Sequence, residues 1–339
     1  MKKAILSLLI IAITLGSVPM NTFAEEKSVE TILQDRMALY LKYEALTGVP
    51  WYFLAAVDQY ERNIQRVRKD IPKRDSLISI YFSPSDWAGM LNIDQENPSL
   101  ESIEFFDGIG KDGNGDRKAD RENDEDVLYT MALYLAKYGF TWDDFKIGLW
   151  DYYQREKTVN QIVTIAKIYH HFQSIDLYKK VFPLPLFHNY SYRSTWGDGR
   201  GWGGRRIHEG TDIFASYGVP VRSTTYGVVE IMGWNKYGGW RVGIRDIHNV
   251  YHYYAHLSGF NDEVKEGDIV EPGTVIGYVG SSGYGKPGTS GKFPPHLHYG
   301  MYKENGRTEW SFDPYPSLRL WEKQERIENK KKKKKKSGT

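Results

Sequence analysis

The chain has 339 residues, 40% hydrophobic and 14% aromatic, enough for one large core or two ordinary ones, with two domains expected at roughly 100 to 200 residues each. A charged fraction of 26% excludes wholesale disorder, no run approaches the roughly 18 apolar residues of a membrane span, and the absence of cysteine excludes disulfides, lipoprotein attachment, thiolate metal sites and cysteine nucleophiles together. The formal net charge of +2 is carried by Lys2 and Lys3, and without the seven lysines from Lys330 to Lys336 the body is near −7.

Lys2 and Lys3, the apolar run Ala4 to Leu15 and the small residues Thr22 and Ala24 predict an export signal over residues 1–24, cleaved after Ala24. The protein is therefore expected to be secreted, with no integral span after cleavage. From Ser28 the spacing turns helical: Ile32, Leu33, Met37, Leu39, Tyr40 and Tyr43 recur at helix period, as do Val159, Ile162, Ile165, Ala166 and Ile168. An all-α domain over residues 28–182 is expected. Between its helices lies the loop Asp107 to Asp120, with DGNGD at Asp112 to Asp116. Asp112, Asn114 and Asp116 alternate as in a calcium loop, but Arg117 stands where a glycine is needed and Asn123 where a bidentate glutamate is needed, so a solvated turn is expected instead.

Pro183-Leu184-Pro185-Leu186 stops helix formation, and residues 183–188 read as a linker. Beyond it come short β runs punctuated by glycine: Val228 to Ile231, Trp240 to Ile244, Tyr251 to Tyr254, Ile269-Val270 and Val275 to Val279. They predict a compact antiparallel β domain over residues 189–322. Residues 323–339 read as a solvated basic tail, with loose attraction to anionic wall polymer as its functional reading.

Nine histidines are scattered through the chain, and their grouping carries the information. In His208-Glu209-Gly210-Thr211-Asp212, residues two and four apart on an extended segment share a side, so His208 and Asp212 can converge while Gly210 leaves room between them. His296 and His298 likewise share one side of a second extended segment, and Tyr254-Ala255-His256-Leu257 closes a β run between the two. Catalytic zinc takes three protein ligands and keeps a fourth position open, so two histidines and a carboxylate complete such a site and leave two histidines for proton transfer and charge stabilisation. His248 and His252 read as surface bystanders, although His252 shares strand parity with His256.

HEGTD, YAHL and HLH, in this order and spacing, resemble the lysostaphin-type (LytM-like) zinc peptidases, which hydrolyse peptidoglycan cross-bridges or stem peptides. The resemblance covers roughly Asn189 to Leu320 and includes Gly218 to Val221, Val264 to Val270 and Gly277 to Gly283. It implies zinc held by His208, Asp212 and His298, with His256 and His296 flanking the water and the scissile carbonyl. Tyr284 to Phe293 and Tyr192 to Arg206 are expected to be loops walling the substrate groove.

Gly48 to Trp51, Phe53 to Val57 and Glu61 resemble the start of the lysozyme-like lytic transglycosylases, where a glutamate in this position is the general acid. Here Arg62 follows instead of the usual serine, and a glutamate beside Arg62 is expected to stay ionised, the wrong state for an acid. The helical domain then reads as a glycan-binding or structural module, with glycan cleavage by Glu61 as the alternative. The expected fold class is α+β multidomain: an all-α lysozyme-like domain followed by an antiparallel β zinc-peptidase domain. The pairing resembles the sporulation endopeptidases of spore-forming bacteria, which implies the L-Ala–D-Glu bond as target, peptidoglycan or muropeptide as substrate, and the wall or forespore compartment as the place of action. A non-catalytic wall-binding activator is a further alternative, and nucleic acid is not an expected partner.

Overall fold

Ser28 starts the first helix by accepting the backbone amide of Thr31 on its hydroxyl at 3.1 Å, and Gly48, at φ 77°, ends it in the left-handed conformation that glycine adopts freely. The structure is a computed structural model, and the residues described are 28–74, 76–201 and 205–337. The expected export signal lies outside them. The helices of the first half are α1 (Val29–Thr47), α2 (Trp51–Val67), α3 (Pro84–Ala88), α4 (Leu100–Phe105), α5 (Asp124–Ala136), α6 (Trp142–Tyr153) and α7 (Glu156–Phe172). α2 is buried nearly all round, so Tyr40 and Tyr43 of α1, Leu128 and Met131 of α5, Phe145 of α6 and Ile162 and Tyr169 of α7 close over it.

That burial corrects the expectation for Glu61. Neighbours on a helix point about 100° apart, and Arg62 turns back one turn to Asp58 at 2.9 Å rather than to Glu61. Glu61 is only 7% exposed and accepts the Tyr153 hydroxyl at 2.6 Å. Burial pushes its carboxyl up to about 7. The adjacency of Arg62 therefore does not keep Glu61 ionised near neutrality.

In the DGNGD loop the acidic side chains are turned on the loop's own backbone. Asp112 accepts the amides of Gly115 and Arg117, and Asp126 of α5 accepts those of Gly113 and Asp120, all at 2.7–2.8 Å. The loop is a self-satisfied turn.

The second half holds β1 (Tyr190–Tyr192), β2 (Gly199–Arg200), β3 (Arg206–Ile207), β4 (Thr211–Ala215), β5 (Pro220–Arg222), β6 (Gly227–Asn235), β7 (Gly239–Asp246), β8 (Val250–Phe260), β9 (Ile269–Val270), β10 (Val275–Val279), β11 (His296–Glu304), β12 (Glu309–Phe312) and α8 (Tyr315–Ser337). Ten strands make one antiparallel sheet whose main path is β1-β4-β11-β8-β7-β6-β9, while β12 pairs with β11 and β10 joins β5 to β8. β2 and β3 form a separate ribbon. The core under the sheet is Ile213, Val242, Ile244, Tyr254, Leu297 and Tyr299.

Two boundaries differ from those read in the sequence. Phe182 and Leu184 are fully buried in the core of the sheet, and Arg222 donates to both their carbonyls, so the proline-rich stretch is built into the β half because its apolar side chains outweigh its turn chemistry. Residue 323 falls inside α8, which continues unbroken to Ser337. Leu318 and Trp321 pin its first turns to the core, Glu322 accepts Tyr190 and Tyr192, and Glu325 pairs with Arg222. The lysines extend this helix at its C-terminal end, where cations suit the helix dipole.

The halves are joined by buried polar contacts. Asn63 donates to the Ile247 carbonyl at 2.9 Å, Arg155 meets the buried Glu304 at 2.5 Å, Lys180 meets Asp246 at 2.6 Å, and Val228 and Ile247 enter the helical core. Among the described residues no helix is long and apolar enough to cross a membrane.

Candidate metal centre

β4 and β11 run antiparallel with Asp212 directly opposite His298. Alternation along β11 sends Leu297 and Tyr299 into the core and leaves His296 and His298 on the outer face. His208, in the turn before β4, folds over the same point. His208 Nε2 lies 3.0 Å from Asp212 Oδ1, His298 Nδ1 lies 3.0 Å from the same oxygen, and the two nitrogens are 2.8 Å apart. Gly210 is required here: a Cβ on it would stand 2.6 Å from Cε1 of His298 and 2.6 Å from the Tyr299 carbonyl.

Whether these donors suit a cation is decided by their protons. His208 Nδ1 lies 2.8 Å from the Thr195 carbonyl, an acceptor only, so Nδ1 carries the hydrogen and Nε2 presents a lone pair. That lone pair faces a carboxylate oxygen at 3.0 Å. A proton on His298 satisfies one edge of the triangle, and the His208–Asp212 edge still sets two lone pairs against each other, a repulsion that a divalent cation removes. Donors 2.0–2.1 Å from a tetrahedral zinc would stand about 3.3 Å apart; the observed triangle is a few tenths of an ångström tighter. The three residues fit a zinc ion. Burial alone would raise the Asp212 carboxyl, but His208 and His298 outweigh it and hold it well below the usual carboxylate range.

His256 reaches this face by an irregularity. Along β8, Ala255 pairs with His298 and Tyr253 with Gly300, so odd positions face the cleft and even positions face the core. His256 would point inward, but the register with β7 slips between Trp240 and Val242, and His256 takes φ 63°. The bulge turns its side chain outward. Its amide donates to the Gly238 carbonyl at 2.7 Å and its Nδ1 lies 2.8 Å from the Ser282 carbonyl, which hold it in a conformation that bulky residues rarely adopt. His296 is anchored in the same way, Nδ1 2.8 Å from the Pro294 carbonyl and Nε2 3.7 Å from Asp212 Oδ1. Burial pushes the His256 imidazole down to about 3, helped by His298 and His296, and burial lowers His296 against the pull of Asp212. Both therefore stay neutral, with Nε2 available as a proton acceptor.

His252 keeps its regular parity and faces the core. It is fully buried, with Nε2 3.1 Å from Asp246 and Nδ1 2.7 Å from the Tyr299 hydroxyl, so it is neither a surface residue nor part of the cleft. His248 is half-buried against Tyr178 where the halves meet, and burial pushes it down to about 4.

Above the five residues opens a cleft of ≈ 450 Å³. Tyr284 stacks on His256, and Phe293 packs on His256 and His296 with ring centroids 4.6 and 5.0 Å away. Arg200 and Arg206 line the opposite wall, so both loops expected to wall the groove contribute to it. Arg200 donates Nη2 to Asp212 Oδ2 at 2.7 Å, leaving Oδ1 to the histidines. Sequence spacing missed Arg200, Thr195 and Ser282, because each acts through a loop that only tertiary contacts bring to the site.

Residues 206–313 match peptidase family M23. The chain is 61% identical over 300 residues to the L-Ala–D-Glu endopeptidase of Bacillus subtilis, covering 88% of this chain and 92% of that protein. It is 35% identical over 115 residues to lysostaphin of Staphylococcus simulans, covering 33% of this chain and 22% of that protein. The solved catalytic domain of that lysostaphin aligns with a TM-score of 0.31 at 31% identity, over 39% of this chain and 92% of the domain.

Proposed function

The chain belongs to peptidase family M23, and we propose that it is a secreted zinc endopeptidase that hydrolyses peptidoglycan stem peptides at the L-Ala–D-Glu bond, in remodelling of the cell wall or spore wall. The bond follows the relative that matches over nearly its whole length. One observation carries the chemistry: three donor atoms converge to 2.8–3.0 Å with the His208 hydrogen committed to the Thr195 carbonyl.

In this reading His208 Nε2, Asp212 Oδ1 and His298 Nδ1 hold the metal. Zinc held there would supply Lewis acidity toward a carbonyl oxygen and toward water near neutral pH. His256 and His296 present unprotonated Nε2 atoms toward the same space, so either can take the proton of the attacking water and return it to the leaving amine. Arg200 holds the second carboxylate oxygen of Asp212 and fixes the direction of Oδ1. Tyr284 and Phe293 shield the histidines from bulk water. We read the helical half as a lysozyme-like scaffold, with its glutamate buried and engaged by the Tyr153 hydroxyl.

The test is mass spectrometry of muropeptides digested by the full chain, before and after chelation and after zinc is restored. New amino termini on D-Glu that vanish with chelation and return with zinc are expected. Cleavage that persists in metal-free protein, or anhydromuramyl ends in place of new amino termini, would overturn the proposal.

A further inference from the structure

Arg206 is a guanidinium in the cleft to which the structure assigns no carboxylate among the described residues. The β2–β3 ribbon sets Arg200 directly opposite Arg206, and like charges facing each other across a strand pair repel. Arg200 is neutralised by Asp212 at 2.7 Å. Arg206 instead donates Nη2 to the Tyr284 hydroxyl at 3.2 Å and lies 5.3 Å over the Tyr237 ring. These neutral partners fix where the guanidinium points, and the exposed side chain at the cleft rim presents its charge to solvent rather than to a carboxylate. More cation stands nearby: Lys236 lies 5.8 Å over the Tyr237 ring and Lys292 donates to the Tyr284 carbonyl at 2.6 Å. The acidic residues lining the cleft are Asp212, bound to Arg200 and the histidines, and Glu209, which accepts the Tyr302 hydroxyl at 3.4 Å.

We propose that Arg206 binds the free carboxylate of the D-glutamyl residue on the amine side of the cleaved bond, and so makes that carboxylate a determinant of specificity. The inference rests on the L-Ala–D-Glu reading above. A glutamyl residue continues its chain through one of two carboxyl groups, so the other stays ionised a few bonds from the nitrogen that leaves. An anion entering a cleft walled by Tyr284 and Phe293 loses water and needs a paired cation. A planar guanidinium matches a carboxylate with two parallel hydrogen bonds, and its seat against two aromatic side chains removes part of the ordering cost before substrate arrives. Arg206 is thus a specificity residue, separate from the five residues that surround the metal position.

The experiment compares two disaccharide peptides, identical except that the D-glutamyl carboxylate is free in one and a carboxamide in the other, cleaved by the zinc-loaded full chain and by its Arg206→Gln and Arg206→Lys variants. A charge-assisted pair predicts that the wild type prefers the free acid by about 10- to 100-fold in kcat/KM, mostly through KM. Arg206→Gln brings that ratio close to one, and Arg206→Lys retains part of it. Equal wild-type rates on the two peptides, or an Arg206→Gln variant slowed by the same factor on both, would overturn the assignment and leave the endopeptidase reading standing. A wild type that cuts neither peptide at this bond would overturn both.

Discussion

Replacing Glu61 by Gln tests the packing of the helical half through its pH dependence. The carboxyl ordinarily titrates near 4.5, as it does in the unfolded chain, and burial pushes it up to about 7 in the folded protein. Between these values the folded state keeps a proton that the unfolded chain has already lost, so stability falls as pH rises through the window. Its contribution is fully present below pH 4.5 and lost once pH has climbed past about 7. At about 1.4 kcal/mol per pH unit the loss comes to about 3 kcal/mol. Gln has the shape of the protonated acid and can still accept the Tyr153 hydroxyl, so the variant should match the wild type near pH 4.5 and exceed its stability by about 3 kcal/mol above pH 7.5. Urea denaturation followed by tryptophan fluorescence across pH 4.5 to 8.5 measures the difference. A gap between the two proteins that does not change with pH would refute the argument that burial, rather than Arg62, sets the proton affinity of Glu61. Peptide cleavage at pH 7 should be unaffected.

The metal centre gives sharper changes. Asp212→Ala or His298→Ala should drop bound zinc below stoichiometric and abolish cleavage, with circular dichroism unchanged; retained zinc would show that these donors are not the ligands. Arg200→Gln frees one oxygen of Asp212 and should weaken zinc binding by about 10- to 100-fold, measured by competition with a chromogenic chelator. Gly210→Ala places a methyl group 2.6 Å from the His298 ring, so zinc should be lost, and a fully loaded variant would contradict the geometry. Arg155→Met strands Glu304, whose side chain is fully buried, and should destabilise the junction by about 3 kcal/mol in chemical denaturation, with Glu304→Gln restoring part of the loss.

Local periodicity determined much of this protein in advance. The helical spacing before Ser174, the β runs after Phe187 and the alternation within HEGTD and HLH are properties of a few consecutive residues, so the succession of helices and strands, the shared face of His208 and Asp212 and that of His296 and His298 were legible without coordinates, while the choice of His298 as the third donor came from the family resemblance. The same reasoning gave His252 the strand parity of His256 yet read it as a surface bystander. Tertiary structure separated them, since the bulge opposite β7 turns His256 to the cleft while His252 remains in the core with Asp246 and Tyr299. Glu61 was misjudged for a related reason: its adjacency to Arg62 counts for little on a helix, and burial under Tyr153 sets its proton affinity. Leu184, in a stretch that reads as linker, is likewise claimed by the core of the sheet. Sequence period describes where a side chain points while the backbone stays regular, whereas bulge, burial and partner depend on segments distant in the chain meeting in the fold.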